Sequence, residues 1–117
     1  MRADKEKNRE YQRKWWQENK EVQRARVAAN SRRLKADNRA RIIEWFATHP
    51  CVDCGETDYV VLEFDHVRGE KSSSISRMVN RNSWETIARE IEKCEVRCAN
   101  CHRRRTAIQM NWYGGFV

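Results

Sequence analysis

The chain has 117 residues, of which 35% are charged, and its formal net charge is +7. This composition excludes a large dry core, and no apolar run approaches the roughly 20 residues that a membrane span requires. The positive excess lies in the first half, because residues 1–50 hold 14 Lys and Arg against 7 Asp and Glu, whereas residues 51–117 hold 10 against 10. An anionic partner is therefore expected for the first half.

Residues from about Asp4 to His49 contain no Gly or Pro and are rich in Arg, Lys, Glu, Gln and Ala, which favour helices. Residues 4–36 predict an exposed helix, because their apolar residues form no sustained stripe. A break in this helix near Asn30-Ser31 is an alternative that the sequence leaves open.

A better amphipathic helix is predicted from Asp37, a suitable N-cap residue, to Pro50, which ends it. We expect this helix to dock on the domain that follows through its apolar residues Ile42, Ile43, Trp45 and Phe46. The chain thus divides into a basic helical extension over residues 1–48, a domain over 49–110 and a tail over 111–117.

The domain begins with a knuckle-like turn, Cys-Val-Asp-Cys-Gly, in which Gly55 is free to take a positive φ. The β-branched and aromatic run Tyr59–Phe64 predicts a strand that ends at Asp65-His66, and residues 69–76 predict a polar loop. The strand and the helices around it give the fold class α+β.

A helix is predicted over Asn82–Lys93, since Asn82 and Glu85 match a capping box. Its apolar residues share one face of the helix: Trp84, Ile87, Ala88 and Ile91. Glu95–Arg97 predicts a brief second strand, and Cys98 to about Met110 predicts the last helix.

Four of the five cysteines form two Cys-x-x-Cys pairs, Cys51 with Cys54 and Cys98 with Cys101. They supply the number and softness of ligands that a closed, structural Zn²⁺ site requires, in a treble-clef-like arrangement of a turn and a helix start. A domain with so little apolar content needs such a cross-link to fold. The alternatives are two unrelated thiol pairs or a redox Cys-x-x-Cys. Cys94 is expected to be a buried small hydrophobe.

Between the cysteine pairs lies the dyad Asp65-His66, and His102 directly follows the last cysteine. The stretch from Cys51 to Thr106, with Cys-Val-Asp-Cys-Gly, Phe-Asp-His, Cys-Glu-Val-Arg-Cys-Ala-Asn-Cys-His and Arg-Arg-Arg-Thr, resembles the HNH endonuclease family. In detail it is similar to small phage and bacterial members with a paired Cys-x-x-Cys zinc site. The resemblance covers about half of the chain. It implies a ββα-metal fold and hydrolysis of nucleic acid with one metal ion.

The dyad makes chemical sense for phosphodiester hydrolysis, which needs an activated water and charge neutralisation on the phosphate. His66 suits a general base near physiological pH. Neighbours on a strand point in opposite directions, so Asp65 can hold a divalent ion such as Mg²⁺ or Mn²⁺ while His66 addresses the water. His102 can complete that metal site. Lys93 stands where many family members have Asn, which makes Asn100 a candidate for positioning the base or the metal.

Each of these residues also has a plain structural interpretation. An Asp-His pair often forms a surface salt bridge, and His102 alone could be a cation that favours a helix end. The same holds for the basic residues that we predict to contact the phosphates of double-stranded DNA: Arg9, Arg13, Lys14, Lys71, Arg103, Arg104 and Arg105. Their alternative is a charged helix surface that is merely solvated.

The leading prediction is a metal-dependent DNA endonuclease that nicks or cuts both strands. One alternative is a non-catalytic zinc-finger DNA-binding protein, in which Asp65 and His102 are structural. Another is an accessory subunit of a nucleic-acid machine such as a phage packaging complex, a context that only the family supplies. The start of the sequence lacks a signal peptide's apolar stretch, so a cytoplasmic protein is expected, in the host cytoplasm if a phage encodes it.

Overall fold

The structure, a computed structural model, describes residues 2–114, so parts of the predicted extension and tail (residue 1 and residues 115–117) lie outside it. The elements in chain order are α1 (Arg2–Thr48), β1 (Leu62–His66), α2 (Ile75–Met78), α3 (Trp84–Ile91), β2 (Cys94–Cys98) and α4 (Ala99–Gln109). The strands form one two-stranded antiparallel sheet. The predicted α+β class is confirmed at this level.

The chain divides into two compact units, Met1–Arg33 and Leu34–Val117. Over residues 2–33 the first unit is helix alone, and every side chain except those of Asn19 and Gln23 is exposed. Its large apolar side chains are exposed as well: Tyr11, Trp15, Trp16, Val22 and Val27. The first unit is therefore the exposed helix without an apolar face that the sequence predicts. Among the described residues, no helix has the length and apolar character needed to traverse a lipid bilayer.

Helix α1 continues without interruption from Arg2 to Thr48. The break considered at Asn30-Ser31 does not occur, and the helix start predicted at Asp37 is wrong. Polar residues such as these lower the stability of a helix by only ~0.5 kcal/mol each when the residues around them are strong helix formers. A cap-type residue alone is therefore a weak boundary signal in this composition.

The second unit has two clusters of buried side chains. One joins the end of α1 to the sheet and the cysteines: Phe46, Cys51, Leu62, Val96, Cys98 and Cys101. The other joins α2 to α3: Ile75, Met78, Val79, Ile87 and Ile91. Ile42, Trp45 and Phe64 pack against both clusters, and the rings of Phe46 and Phe64 stack with centroids 4.8 Å apart. The amphipathic end of α1 thus docks as expected through Ile42, Trp45 and Phe46, whereas Ile43 is exposed and does not take part.

A polar contact also joins α1 to the residues that precede α3. Asn38 of α1 is 1% exposed, and its amide donates to the carbonyls of Val79 at 3.1 Å and Asn82 at 2.9 Å. The N-cap of α3 is Ser83, whose Oγ accepts from the N–H of Thr86 at 3.4 Å. The capping box predicted from Asn82 is therefore wrong by one residue. The short α2 was also missed, since its start lies in the predicted polar loop.

The sheet begins later than the sequence predicts. Asp58 accepts from the N–H of Val60 through its side chain and from that of Val61 through its carbonyl, which makes a turn of the residues expected to open the strand. β1 therefore starts at Leu62, opposite Cys98, and its last residue, His66, is opposite Cys94. The strand ends at Asp65-His66, as predicted.

Candidate functional site

The four paired cysteines converge in the second unit. The Sγ atoms of Cys51, Cys54, Cys98 and Cys101 all lie within 4.8 Å of one another. Those of Cys54 and Cys98 are 3.7 Å apart. Two ligands of a tetrahedral Zn²⁺ ion are roughly 3.8 Å apart when each Zn–S bond is about 2.3 Å. The cluster could hold a structural metal ion such as zinc, as the sequence predicts.

Local backbone geometry aims these sulfurs inward. Gly55 takes a φ of +78°, which side-chain-bearing residues rarely adopt, and its N–H donates to the carbonyl of Cys51 at 2.9 Å to close the turn. At the other pair, Cys98 is the N-cap of α4, and its sulfur accepts from the N–H of Cys101 at 3.4 Å. N–H groups directed at sulfur stabilise the thiolate that binds metal.

The thiols differ strongly in acidity. Burial raises the pKa of Cys51, but backbone hydrogen bonds, that of Cys98 first, outweigh burial and lower this pKa to about 6. The hydrogen bond with Cys98, followed by burial, raises the pKa of Cys101 to about 12. Four sulfurs this close oppose one another's ionisation, so a full set of thiolates requires a cation among them.

Asp65 of β1 is buried, and two guanidinium groups hold one of its carboxylate oxygens. Nη1 of Arg97 donates to Oδ2 at 2.9 Å and Nη1 of Arg105 donates to the same oxygen at 2.8 Å. Arg97 also donates from Nε to Asp53 at 2.8 Å and from Nη2 to Glu95 at 2.9 Å. The second oxygen of Asp65, Oδ1, carries no such arginine contact.

That second oxygen faces His102 of α4. Nε2 of His102 lies 3.5 Å from Oδ1 of Asp65, and its Nδ1 lies 3.1 Å from Oε1 of Glu63. A neutral imidazole has a single N–H and can donate to only one of these carboxylates, so the other contact needs a proton or a cation. The structure therefore brings together the two residues that the sequence assigns to a divalent ion.

A cation at Asp65 and His102 would have few protein ligands. Within residues 2–114, the cysteine cluster is the single group of three or more His, Cys, Asp or Glu side chains whose ligand atoms converge. Such an ion would take its remaining ligands from water and from phosphate oxygens, as catalytic Mg²⁺ commonly does.

His66 follows Asp65 in β1 and contacts a different carboxylate, that of Glu90 in α3. Nε2 of His66 is 3.0 Å from Oε1 of Glu90, which is 3% exposed. Burial raises the pKa of Glu90, but Lys93, then the N–H of Ser72 and then His66 outweigh it and lower this pKa to about 2. An ionised carboxylate only accepts, so Nε2 of His66 carries the proton, and Nδ1 is the lone-pair nitrogen of the neutral ring.

Lys93 holds the loop before α2 against Glu90. Its Nζ lies 2.9 Å from Oε2 of Glu90 and donates to the carbonyl of Glu70 at 2.7 Å, while the N–H of Ser72 donates to Oε1 of Glu90 at 2.9 Å. The sequence singled out Lys93 only as a departure from the family and missed Glu90. One signal was available, since Glu90 shares the buried side of α3 with Ile87 and Ile91.

His66 and His102 line the same cavity, whose volume is about 400 Å³. Its polar lining residues are Glu63, His66, Lys71, Ser74, Ser76 and His102. Ile42, Phe46 and Phe64 contribute apolar walls. The predicted base, one predicted metal ligand and the predicted phosphate contact Lys71 therefore share one open cavity.

Other predicted residues lie elsewhere. Asn100 is not brought to this cavity and lines a different pocket with Arg103 and Arg104. Arg105 is paired with Asp65, so its predicted phosphate contact competes with an existing ion pair. The basic residues of the extension belong to the first unit, where their side chains are exposed: Arg9, Arg13 and Lys14. Their roles in DNA binding stay predictions.

Cys94 stands apart from the metal-binding cysteines. It is half-buried, and its thiol donates to the carbonyl of Glu90 at 3.5 Å. Burial, followed by the charges of Glu90 and Asp65, raises the pKa of Cys94 to about 11. A thiol that resists ionisation is a poor ligand and a poor nucleophile, in line with the expected role of a small hydrophobe.

Known proteins do not extend this description. No protein-family model, no curated protein and no solved structure matches the chain. What the chain does is therefore inferred from its own residues and their geometry.

Proposed function

We propose that the chain is a metal-dependent DNA endonuclease of the HNH type, which hydrolyses phosphodiester bonds by nicking or double-strand cutting. The observation that carries the proposal is one cavity lined by two histidines with different carboxylate partners. His66 contacts Glu90, and His102 lies between Glu63 and Asp65. In this proposal β1, β2 and α4 form a ββα-metal unit, which the four cysteines stabilise by holding Zn²⁺.

His66 is the general base in this proposal. Glu90 fixes the ring orientation and the tautomer, so that Nδ1 of the neutral ring is free to accept a proton from water. A carboxylate that orients a histidine in this way is a recurring arrangement in hydrolases. Glu90 is itself held by Lys93 and by the N–H of Ser72, which limits its movement.

Asp65 and His102 would hold the catalytic divalent ion, such as Mg²⁺ or Mn²⁺. When bound, such an ion supplies charge neutralisation on the phosphate. The residues present fit it, because Oδ1 of Asp65 and Nε2 of His102 face each other at 3.5 Å. Glu63 accepts from the Nδ1–H of His102, which leaves Nε2 as the ligand nitrogen, and carboxylate partners of this kind are common at metal-bound histidines.

DNA would be held by positive charge on both units. Lys71 lies at the cavity, where it can reach a phosphate beside the cut. Residues 1–33 carry 11 Lys and Arg against 5 Asp and Glu, a net charge of +6 of the chain's +7. Neutralising phosphates with these side chains releases counterions and supplies binding free energy that does not depend on sequence.

One observation favours a second candidate, a non-catalytic zinc-finger DNA-binding protein. Arg97 and Arg105 already neutralise the carboxylate of Asp65, which is the pattern of a buried structural anchor. In that case the Asp65 carboxylate never binds a cation. The two candidates therefore differ in a measurable property, the dependence of function on a second metal ion.

The decisive experiment is cleavage of supercoiled plasmid by the zinc-loaded chain with added Mg²⁺ or Mn²⁺. We expect nicked or linear product, and His66→Ala should slow its formation by about 10²- to 10⁴-fold, the typical contribution of a general base. His49→Ala is the matched control, because His49 is exposed and contacts Trp45 instead of the cavity. Duplex binding without cleavage under either metal would favour the non-catalytic candidate.

A further inference from the structure

The residues after α4 turn back onto that helix. Asn111 takes a φ of +50°, in the left-handed region. The N–H of Trp112 donates to the carbonyl of Ala107 at 3.0 Å, and that of Asn111 donates to the carbonyl of Ile108 at 3.2 Å. These two bonds define a Schellman motif, which places Trp112 against the last turns of the helix.

The turn creates a pocket of about 230 Å³, which is distinct from the cavity of His66 and His102. Its lining residues are Asn100, Arg103, Arg104, Ala107, Trp112 and Tyr113. The four that belong to α4 recur at the spacing of a single helix face. Trp112 and Tyr113 are 45% and 60% exposed, so their aromatic surfaces face the pocket and solvent instead of a core.

The pocket carries positive charge. The guanidinium of Arg103 lies over the ring of Trp112, 5.2 Å from its centroid. Within the part of the chain that the structure describes, neither Arg103 nor Arg104 forms a salt bridge, whereas the next residue, Arg105, pairs with Asp65. The three arginines thus differ: Arg105 pairs with Asp65, Nη1 of Arg104 lies 4.0 Å from Sγ of Cys101, and Arg103 directs its charge at the pocket.

We propose that this pocket binds one unstacked nucleotide of single-stranded DNA. The base stacks on Trp112 and Tyr113, since every base has a π-face and aromatic side chains bind it with little sequence preference. The phosphate pairs with Arg103, whose planar guanidinium group matches phosphate oxygens. The amide of Asn100 both donates and accepts, which suits a base edge.

Single-stranded DNA is the favoured ligand over a duplex, because the faces of paired bases are covered by their neighbours in the stack. This binding is separate from cleavage, since the pocket shares no lining residue with the cavity of His66. The inference therefore holds whether or not the chain is a nuclease, and it is tested without a catalytic metal.

The test compares two labelled strands of about 12 nucleotides, a length within the site sizes of single-strand binders. One is oligothymidylate, and the other is an abasic strand with the same number of phosphates. Binding of the zinc-loaded full chain is followed by fluorescence anisotropy without added Mg²⁺ or Mn²⁺. The basic residues act equally on both strands, so the difference in affinity reports base stacking. We expect oligothymidylate to bind more tightly.

Trp112→Ala should weaken oligothymidylate binding by about 5- to 150-fold and abolish the difference between the strands. Trp112→Phe should retain part of the difference, because it keeps an aromatic ring. Ile108→Ala is the matched control, since Ile108 is exposed on the same helix and does not line the pocket. Unchanged zinc content verifies that each variant is folded.

A second comparison tests the charge of the pocket with Arg103→Ala and Arg89→Ala. Arg89 is an exposed arginine of α3 that lies outside the pocket. Arg103→Ala should weaken the binding of both strands, because both carry phosphates, and it should weaken it more than Arg89→Ala does. The proposal is overturned if Trp112→Ala preserves the difference between the strands, or if both arginine variants have the same effect. Competition with thymidine monophosphate tests whether the ligand is a strand or a free nucleotide. A free nucleotide that binds as tightly as the strand would overturn the single-strand assignment.

Discussion

Nε2 of His66 and Oε1 of Glu90 lie 3.0 Å apart, and this contact joins strand β1 to helix α3. Glu90 is 3% exposed, and Lys93 at 2.9 Å compensates its charge. A buried carboxylate that holds an imidazole does two things at once, because it contributes to stability and it selects the tautomer of the ring. The two effects are separable by experiment.

Glu90→Ala should slow plasmid cleavage by about 10- to 100-fold, the usual effect of losing a partner that orients a site residue. Glu90→Gln keeps an oxygen that accepts from Nε2 of His66, so it should lose less. The measurement is the cleavage rate at saturating metal, together with the metal concentration for half-maximal rate, which neither variant should move. Full activity in the alanine variant would contradict a positioning role.

The stability of the chain should depend on Glu90 in a defined pH window. The pKa of Glu90 falls from its ordinary 4.5 to about 2 in the folded protein, because Lys93, Ser72 and His66 outweigh burial. A lowered folded-state pKa contributes stability that is complete above about pH 4.5 and is lost as the pH falls toward about 2. The full contribution is on the order of 3 kcal/mol.

Urea unfolding of the wild type and of Glu90→Gln, from pH 7 to about pH 3, measures this contribution as a difference. The difference should be largest at neutral pH and should shrink below about pH 4.5. Zinc content is measured at each pH, and only samples in which both proteins retain zinc are compared, because the second unit is expected to unfold without it. A difference that stays constant over this range would show that the carboxylate is not the source of the stabilisation.

Metal analysis should find about one tightly held zinc ion per chain. Cys54→Ser or Cys101→Ser should lose the ion and unfold the second unit, because the sulfur cluster joins the turn, β2 and α4. Cys94→Ser is the control and should retain the ion, since Cys94 lies outside the cluster. A well-folded metal-free protein, judged by circular dichroism, would disprove the structural role of zinc.

Replacing Arg105 tests whether Asp65 binds a catalytic ion. Arg105→Met removes one of the two guanidinium groups on Oδ2 of Asp65, so the carboxylate becomes a better cation ligand. The metal concentration for half-maximal cleavage should fall by about threefold to tenfold, the scale of a partly exposed ion pair. Arg89→Met, which removes an exposed charge of α3 but no contact with Asp65, should have no such effect. An equal response of both variants would favour a purely structural Asp65.

Deletion of residues 1–33 should weaken duplex binding broadly across sequences and flatten its salt dependence. This segment holds 11 of the chain's 24 Lys and Arg residues. Binding free energy from phosphate contacts falls linearly with the logarithm of the salt concentration, so the slope reports how many contacts are lost. Saturating DNA should restore much of the cleavage rate. An unchanged slope would point to a partner-protein role for the first unit.

Local patterns in the sequence predicted much of this fold. The spacing of the cysteine pairs predicted the sulfur cluster, and the apolar spacing of Ile87 and Ile91 predicted the buried face of α3. The placement of His102 after Cys101 correctly predicted its proximity to Asp65. The HNH resemblance and the DNA-binding roles stay predictions. The predictions that were confirmed depended on residues close in the chain, or on metal-ligand chemistry that allows few arrangements of the cysteines.

The rest depended on contacts between distant residues. Arg97 was not singled out, because its three carboxylate partners are identified only once β1 and β2 pair. Glu90 was missed because its partner, His66, lies 24 residues earlier in the chain. Strand β1 began later than predicted, since Asp58 stabilises a turn through its side chain, and β-propensity alone does not register such competition.

The planar guanidinium of Arg97 connects the cysteine turn to the proposed catalytic site. It is 7% exposed and joins Asp53, which lies within the cysteine turn, to Asp65, which faces His102. Removing the ion from the cysteines would release the turn and leave this buried cation without one of its carboxylates. Occupancy of one site and order at the other are then thermodynamically linked, and such linkage is reciprocal. If the proposed function holds, a zinc-depleted chain would therefore also lose the arrangement of Asp65 and His102.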